Sequence, residues 1–559
     1  MDAEPSAALS HSRGASRPPL LRQTIGDNLR QTAERHGDRE ALVVCHQHYR
    51  ATYRQFWDAT TQAARALLAL GVEAGDRVAV WAPNRYEWVV VQYATARVGA
   101  ILVNINPAYR AAELEYALRQ SGASVLFHAR GFRQGAYGPL LDAARPRCPG
   151  LRRAVRFDED WDAFLTAGES VPEADLGRRE AALRCDNPIN IQYTSGTTGF
   201  PKGATLTHHN ILNNGFFVGE TIGLTDVDRV CVPVPLYHCF GMVLGCLACT
   251  SHGAGLVFPA ECFDAPAVLR AVAVERCTAL YGVPTMFRAL LEDSSFDDTD
   301  CSSLRTGIMA GSPCPIELMK EVTTRLHMPE AAIAYGMTET SPVSTMSARD
   351  DPLERRVTTV GRVLPHLEVS IQDPAQRAVL PRDRAGELCT RGYSVMRGYW
   401  DDEAATRAAI DAGGWMHSGD LAVMDADGYV HIVGRLKDMI IRGGENVYPA
   451  EVEAVLHRCA AVSEAQVVGV PSRKYGEEIM AWVRLAPGAS ATEEELDRHC
   501  REYLAAYKRP RYWRFVEAFP MTVTGKVQKF RLREMAVELL GLPVSYTHLP
   551  SPRDRQKSR

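Results

Sequence analysis

Tyr193-Thr194-Ser195-Gly196-Thr197-Thr198-Gly199-Phe200-Pro201-Lys202-Gly203 is the most informative stretch of this 559-residue chain. Four Ser or Thr hydroxyls, three glycines and one lysine fall within eleven residues, directly after the strand-like run Ile189 to Tyr193. Glycines let a backbone approach an anion closely and turn successive N–H groups toward it. The hydroxyls add donors, and Lys202 adds a compact positive charge. A strand followed by such a loop reads as a phosphate cradle. The loop has neither the G-x-x-x-x-G-K-[ST] pattern of P-loop nucleotidases nor the G-x-S-x-G elbow of α/β-hydrolases, so both readings fail.

Outward from this loop, strand-like and helical patterns alternate. A helix is expected from Thr24 (Ile25, Leu29, Ala33), then a strand at Ala41 to Cys45 and a further helix. Strand-like runs at Arg77 to Trp81, Ile101 to Val103, Ser124 to Phe127, Val230 to Val234 and Gly255 to Phe258 continue the pattern, with a helix at Ala111 to Ser121. The alternation predicts an α/β fold with mixed, largely parallel sheets. After about Ala385 short strands and turns such as Ala426-Asp427-Gly428-Tyr429 predict a small antiparallel segment. A compact α+β pattern follows Arg435: helix Pro449 to Cys459, strands Glu464 to Val470 and Ile479 to Leu485, helix Thr492 to Leu504. The expected organisation is a large domain over 24–434, a small α+β C-terminal domain over 438–543 and a disordered tail at 544–559.

Composition narrows the function. With 46% apolar and 23% charged residues the chain has the balance of a soluble globular protein. A net charge of −4, with Lys and Arg spread evenly, leaves no footprint for nucleic acid. The fourteen cysteines sit mostly in apolar runs, as reduced thiols of a cytoplasmic protein do. Cys246 and Cys249 have C-x-x-C spacing without a second pair, and core packing is expected of them. No apolar signal region opens the chain, although Arg13, Arg17 and Arg22 among serines allow a mitochondrial matrix location. Val230 to Ala260 carries no Asp, Glu, Lys or Arg, yet Pro233, Pro235, His238 and several glycines interrupt it. A buried strand, loop and helix are expected there rather than a membrane span.

Five further motifs follow the loop in order. They are Tyr335-Gly336-Met337-Thr338-Glu339-Thr340, His417-Ser418-Gly419-Asp420, Gly434-Arg435-Leu436-Lys437-Asp438, Gly443-Gly444-Glu445-Asn446-Val447-Tyr448-Pro449 and Thr524-Gly525-Lys526. With the phosphate loop, this ordered set resembles the adenylate-forming (AMP-binding) superfamily, over roughly Thr24 to Leu542. The resemblance implies an enzyme that uses Mg²⁺ and ATP to convert a carboxylic acid to an acyl-adenylate, then passes the acyl group to a thiol.

It also implies a role for each motif. Thr194, Ser195, Gly196, Thr197, Thr198, Gly199 and Lys202 would hold the β and γ phosphates. Glu339 offers a hard carboxylate to Mg²⁺, Thr338 would sit by the α-phosphate, and Tyr335 would stack on adenine. Asp420 supplies two acceptor oxygens for the ribose hydroxyls, with Arg435 beside it. Lys526 would be the catalytic cation, aimed at charge spreading over the α-phosphate oxygens. Lys437 would stand in a hinge at 435–437, about which the small, mobile C-terminal domain turns between half-reactions; many relatives carry Asp at that position. Gly443, Gly444 and Glu445 would line a narrow pantetheine tunnel, which the two glycines let the backbone approach. His238 and Gly311 would shape the acyl pocket.

The run after His238 (Phe240, Met242, Val243, Leu244) is apolar and lacks the Asp with which amino-acid-activating relatives hold an amine. An alkyl chain fits better. Val232 to Phe240, Leu280-Tyr281-Gly282-Val283-Pro284-Thr285-Met286-Phe287 and Ala310-Gly311-Ser312-Pro313 resemble the medium-chain branch of fatty acyl-CoA synthetases. Coenzyme A is therefore the expected acceptor and a medium-chain fatty acid the expected substrate. An aryl-CoA ligase, or an adenylating enzyme that loads a carrier protein, stays open. A silent nucleotide-binding scaffold is disfavoured, because Lys202, Glu339, Asp420 and Lys526 are all present. The partners expected are small molecules alone, and the sequence says nothing about oligomeric state.

Overall fold

The computed structural model describes residues 8–133, 135–194, 201–312, 314–443, 445–522 and 527–542. Backbone contacts group the chain into two units. The larger comprises Ser12–Val369 and Thr390–Met416; the smaller comprises Met1–His11, Ser370–Cys389 and His417–Arg559.

Two large sheets dominate the described part of the larger unit. The first runs in the order Gly398–Tyr399, Lys202–Thr207, Pro188–Thr194, Ile101–Ile105, Arg77–Trp81, Val125–His128, Arg153–Arg156. From Pro188–Thr194 onward its neighbours are parallel, and the first two strands are antiparallel additions. The second sheet is parallel from Glu330–Gly336 through Thr306–Ala310, Ala279–Gly282, Arg229–Cys231 and Gly255–Phe258 to Glu40–Val44, with antiparallel strands at both edges. Parallel strands covered on both faces need near-continuous apolar runs. The runs Arg77–Trp81 and Gly255–Phe258 have this character, and they form strands with the expected bounds.

Several helices begin at a side-chain cap. Ile25–His36 starts after Thr24, whose hydroxyl accepts from the Asp27 N–H at 3.1 Å while the Asp27 carboxylate accepts from the Thr24 N–H at 3.2 Å. Such a reciprocal box satisfies two orphan donors, and losing the cap costs about 1 kcal/mol. The charge-free stretch contains a strand, a π-helical segment (Phe240–Leu247), a short helix (Ala248–His252) and another strand. The first strand stops at Cys231 rather than Val234, because Pro233 and Pro235 cannot donate to a ladder. Cys246 and Cys249 are fully buried, and among the described residues the fourteen cysteines form no disulfide. Among the described residues no helix is long and apolar enough to cross a membrane.

In the smaller unit the hairpin Met416–Met424 with Val430–Arg435 confirms the antiparallel segment, although its sheet already includes Leu367–Gln372, upstream of Ala385. The α+β part is built on Val462–Ser472 paired antiparallel with Gly476–Leu485, beside helices Pro449–Leu456 and Glu493–Tyr503. Along the second strand Ile479, Ala481 and Val483 enter one core, whereas Met480 and Trp482 enter another with Phe519 and Leu532. That period of two buries both faces of one sheet. The expected tail at 544–559 lies outside the described residues.

Candidate active site

The strands on either side of the candidate phosphate loop pair antiparallel. Thr194 ends one strand, Lys202 opens the antiparallel partner, and the two are in register, with Thr194 Oγ1 donating to Lys202 O at 3.4 Å. Ser195, Gly196, Thr197, Thr198 and Gly199 lie outside the described residues, as do Gly444 and Lys526. The strand leading into the loop is anchored by interior amides that the sequence reading missed. Asn104 Nδ2 donates to Gln192 Oε1 (3.2 Å) and to Tyr237 O (3.1 Å), Gln192 Nε2 also donates to Tyr237 O, and Asn190 Nδ2 donates to Asn104 Oδ1 at 3.0 Å. All three amide residues are at most 2% exposed. Buried amides are costly unless bonded, and here they tie the loop's strand to the segment that carries His238.

That segment leads into the apolar run expected to shape the acyl pocket. His238 is half-buried, its Nδ1 accepts the Phe240 N–H at 3.2 Å, and the π-helical Phe240–Leu247 begins two residues later with every residue buried. The thiol of Cys239 donates to Gln192 Oε1 at 3.5 Å. Burial and the Glu339 carboxylate push this thiol up to about 12, against the opposing hydrogen bond with the Thr338 side chain, so it stays protonated. Cys239, just ahead of the π-helical run, therefore abuts Thr338. Gly311, at φ +93°, follows the strand Thr306–Ala310.

Tyr335 is half-buried near the end of strand Glu330–Gly336, and Thr338 and Glu339 lie in the 3₁₀ turn that follows. Gly336 permits this turn, since a Cβ there would lie 1.8 Å from Pro342 O. Glu339 is 6% exposed, and its Oε1 accepts the Tyr399 hydroxyl at 2.8 Å. Lys202 Nζ lies 5.1 Å from the Tyr399 ring centroid. Burial and the Glu339 carboxylate drive the Tyr399 phenol far above the usual tyrosine range. Lys202, Thr338, Glu339, Cys239 and Tyr399 thus form one connected group. A nearly buried carboxylate beside a cationic phosphate loop fits a hard divalent ion. Bound there, Mg²⁺ would screen phosphate charge.

The smaller unit carries the other candidates. Asp420 and Arg435 face each other across the hairpin, and Arg435 Nε donates to Asp420 Oδ1 at 2.7 Å. A second residue missed by sequence reading, Glu387, orients this motif. It bonds His417 Nδ1 at 2.9 Å and accepts the Gly419 N–H at 3.0 Å. Lys437 follows the hairpin, and Gly443, at φ +62°, turns the chain between Ile440–Arg442 and Glu445–Val447. Met521 and Val527 pair on either side of the Lys526 segment.

The phosphate hairpin, the Thr338-Glu339 turn and the Asp420 hairpin accompany a clear family match. The AMP-binding enzyme profile matches residues 29–400 and the AMP-binding enzyme C-terminal domain matches 451–526. This chain belongs to the AMP-binding enzyme family. It is 47% identical to a Bacillus subtilis protein provisionally named acyl-CoA synthetase YngI, over 94% of this chain and 99% of that one. It is 43% identical to the mitochondrial medium-chain acyl-CoA ligase of Danio rerio, over 96% and 92% of the two chains. Among solved structures, an anthranilate CoA ligase in complex with anthranoyl-AMP superposes with a TM-score of 0.83 at 28% identity, covering 94% of this chain and 99% of that one.

Proposed function

We propose that this chain is an AMP-forming acyl-CoA ligase for medium-chain fatty acids. The observation that carries the reading is the wholly buried, uncharged Phe240–Leu247 segment, which starts beside the Thr338-Glu339 turn. An alkyl chain laid against it has its carboxylate at the phosphate end of the site. The similarity to a medium-chain ligase supports the acid class.

In this reading Thr194, Lys202 and the loop between them hold the triphosphate, and Glu339 holds Mg²⁺. Asp420 fixes the ribose and Lys526 stabilises charge at the α-phosphorus as the acid's carboxylate displaces pyrophosphate. The small domain, 438–543, then turns about Lys437, and the Gly443, Gly444, Glu445 loop serves the attack of the CoA thiolate, which releases AMP. Such a change excludes water from a hydrolysable adenylate. The compartment is the cytoplasm or, in a eukaryotic cell, the mitochondrial matrix.

The stacked rings of Phe240 and Tyr281, 5.9 Å apart, favour a second reading in which the acid is aromatic. AMP release with Mg-ATP, CoA and straight-chain acids from acetate to palmitate, with benzoate alongside, decides between them. A maximum at a medium chain length is expected; a maximum at benzoate selects the aryl reading, and no acid-dependent AMP rejects both.

A further inference from the structure

The segment Met396 to Trp400 is stitched to both halves of the phosphate end. The Met396 N–H donates to Glu339 O at 2.9 Å, the Arg397 N–H to Thr205 O at 2.9 Å and the Trp400 N–H to Gly203 O at 2.7 Å. Gly398 and Tyr399 pair antiparallel with Thr205 and Ala204, on the strand that Lys202 opens. The backbone there leaves little latitude: Gly398 has φ +149°, and a Cβ on it would meet Thr406 Cγ2 at 2.9 Å. The Tyr399 N–H is itself held by Thr406 Oγ1 at 2.8 Å. The side chain thus leaves a fixed backbone and does two things. Its hydroxyl donates to Glu339 Oε1, and its ring lies under the Lys202 ammonium. No other side-chain hydrogen bond is formed by Glu339 among the described residues.

We propose that Tyr399 is a positioning residue for the metal and phosphate end of the site. By occupying Oε1 it fixes the carboxylate plane and leaves Oε2 as a single donor for a divalent ion. By carrying Lys202 on its ring face it keeps the loop's cation from collapsing onto that carboxylate, where the two would neutralise each other before ATP arrives. A cation over a phenol ring keeps its charge available while losing mobility, and a hydroxyl bonded to a carboxylate is worth more than a neutral pair. The inference rests on the reading of Glu339 as the metal ligand.

The test uses full-length protein with ATP and Mn²⁺, free Mn²⁺ being counted by its paramagnetic resonance signal. Tyr399→Phe removes only the hydroxyl and keeps the ring under Lys202; it is expected to weaken Mn²⁺ binding about tenfold. The Mg²⁺ concentration for half-maximal pyrophosphate exchange rises by the same factor. Tyr399→Leu removes the ring as well and is expected to raise the KM for ATP further. A merely structural role would lower the unfolding temperature and leave Mn²⁺ affinity alone. Glu339→Gln is the parallel control. Weakened Mn²⁺ binding in Glu339→Gln with wild-type affinity in Tyr399→Phe overturns the role of Tyr399. Wild-type affinity in Glu339→Gln refutes the metal reading itself, and the inference falls with it.

Discussion

Asp420 is 6% exposed and bonded to a largely exposed Arg435, so its carboxylate is held in place by a partner that solvent screens. Such a pair contributes little to stability, yet it fixes the orientation of a carboxylate that, in the proposed reading, would take up the ribose hydroxyls of ATP. Asp420→Ala is therefore expected to raise the KM for ATP about ten- to a hundredfold, with an unfolding temperature close to wild type. An unchanged KM would remove Asp420 from the nucleotide site. Residues of this kind were legible in sequence because chemistry and spacing coincide in short motifs. Glu387, Gln192 and Tyr399 were not. Tyr399 meets Glu339 across 60 positions and Glu387 meets Gly419 across 32, and no local pattern marks such meetings. Asn104 and Gln192, as polar residues in strands, read as solvent-facing until neighbouring strands bury them.

Helix His208–Ile222 begins with a capping box at Thr207, and its first residue ties it to a second helix. His208 Nδ1 accepts the N–H of Ile25, the first residue of Ile25–His36, at 3.1 Å. The ring is fully buried, and burial lowers it from 6.5 to about 4, only partly offset by Asp27. A proton on Nδ1 would break the bond and place positive charge at a helix N-terminus. The unfolded chain binds that proton below 6.5 and the folded chain only below about 4. The neutral ring's contribution is therefore whole above the upper value and lost as pH falls through the lower, about 3 kcal/mol in all. The urea midpoint of the wild type should fall across this window more steeply than that of His208→Asn, whose amide oxygen accepts the same N–H without titrating; parallel curves would contradict the assignment. At this scale strands with unbroken apolar runs were legible. Lys202–Thr207 was not: Lys-Gly-Ala-Thr-Leu-Thr reads as the end of a turn, and pairing with Pro188–Thr194 makes it a strand.

Across the whole molecule two sheets of the larger unit position Lys202, Thr338 and Glu339, while the smaller unit positions Asp420, Arg435 and Gly443. The α/β class followed from alternation along the chain, and the order of strands did not, because it depends on crossovers that leave no local trace. If Lys437 is the pivot between half-reactions, Lys437→Pro should uncouple them. Pyrophosphate exchange should persist within a fewfold of wild type, and thioester formation should fall by about a hundredfold or more. Equal losses in both would place the pivot elsewhere.

Activation of an acid as its adenylate, followed by transfer to a thiol, leaves an intermediate that can be observed directly. The enzyme is incubated with Mg-ATP and octanoate, quenched, and analysed by mass spectrometry before and after CoA is added. Octanoyl-AMP is expected at about one equivalent per enzyme, converted on CoA addition to octanoyl-CoA and AMP. Octanoyl-AMP that persists in the presence of CoA would contradict the acceptor, and its absence with every acid tried would contradict the chemistry itself.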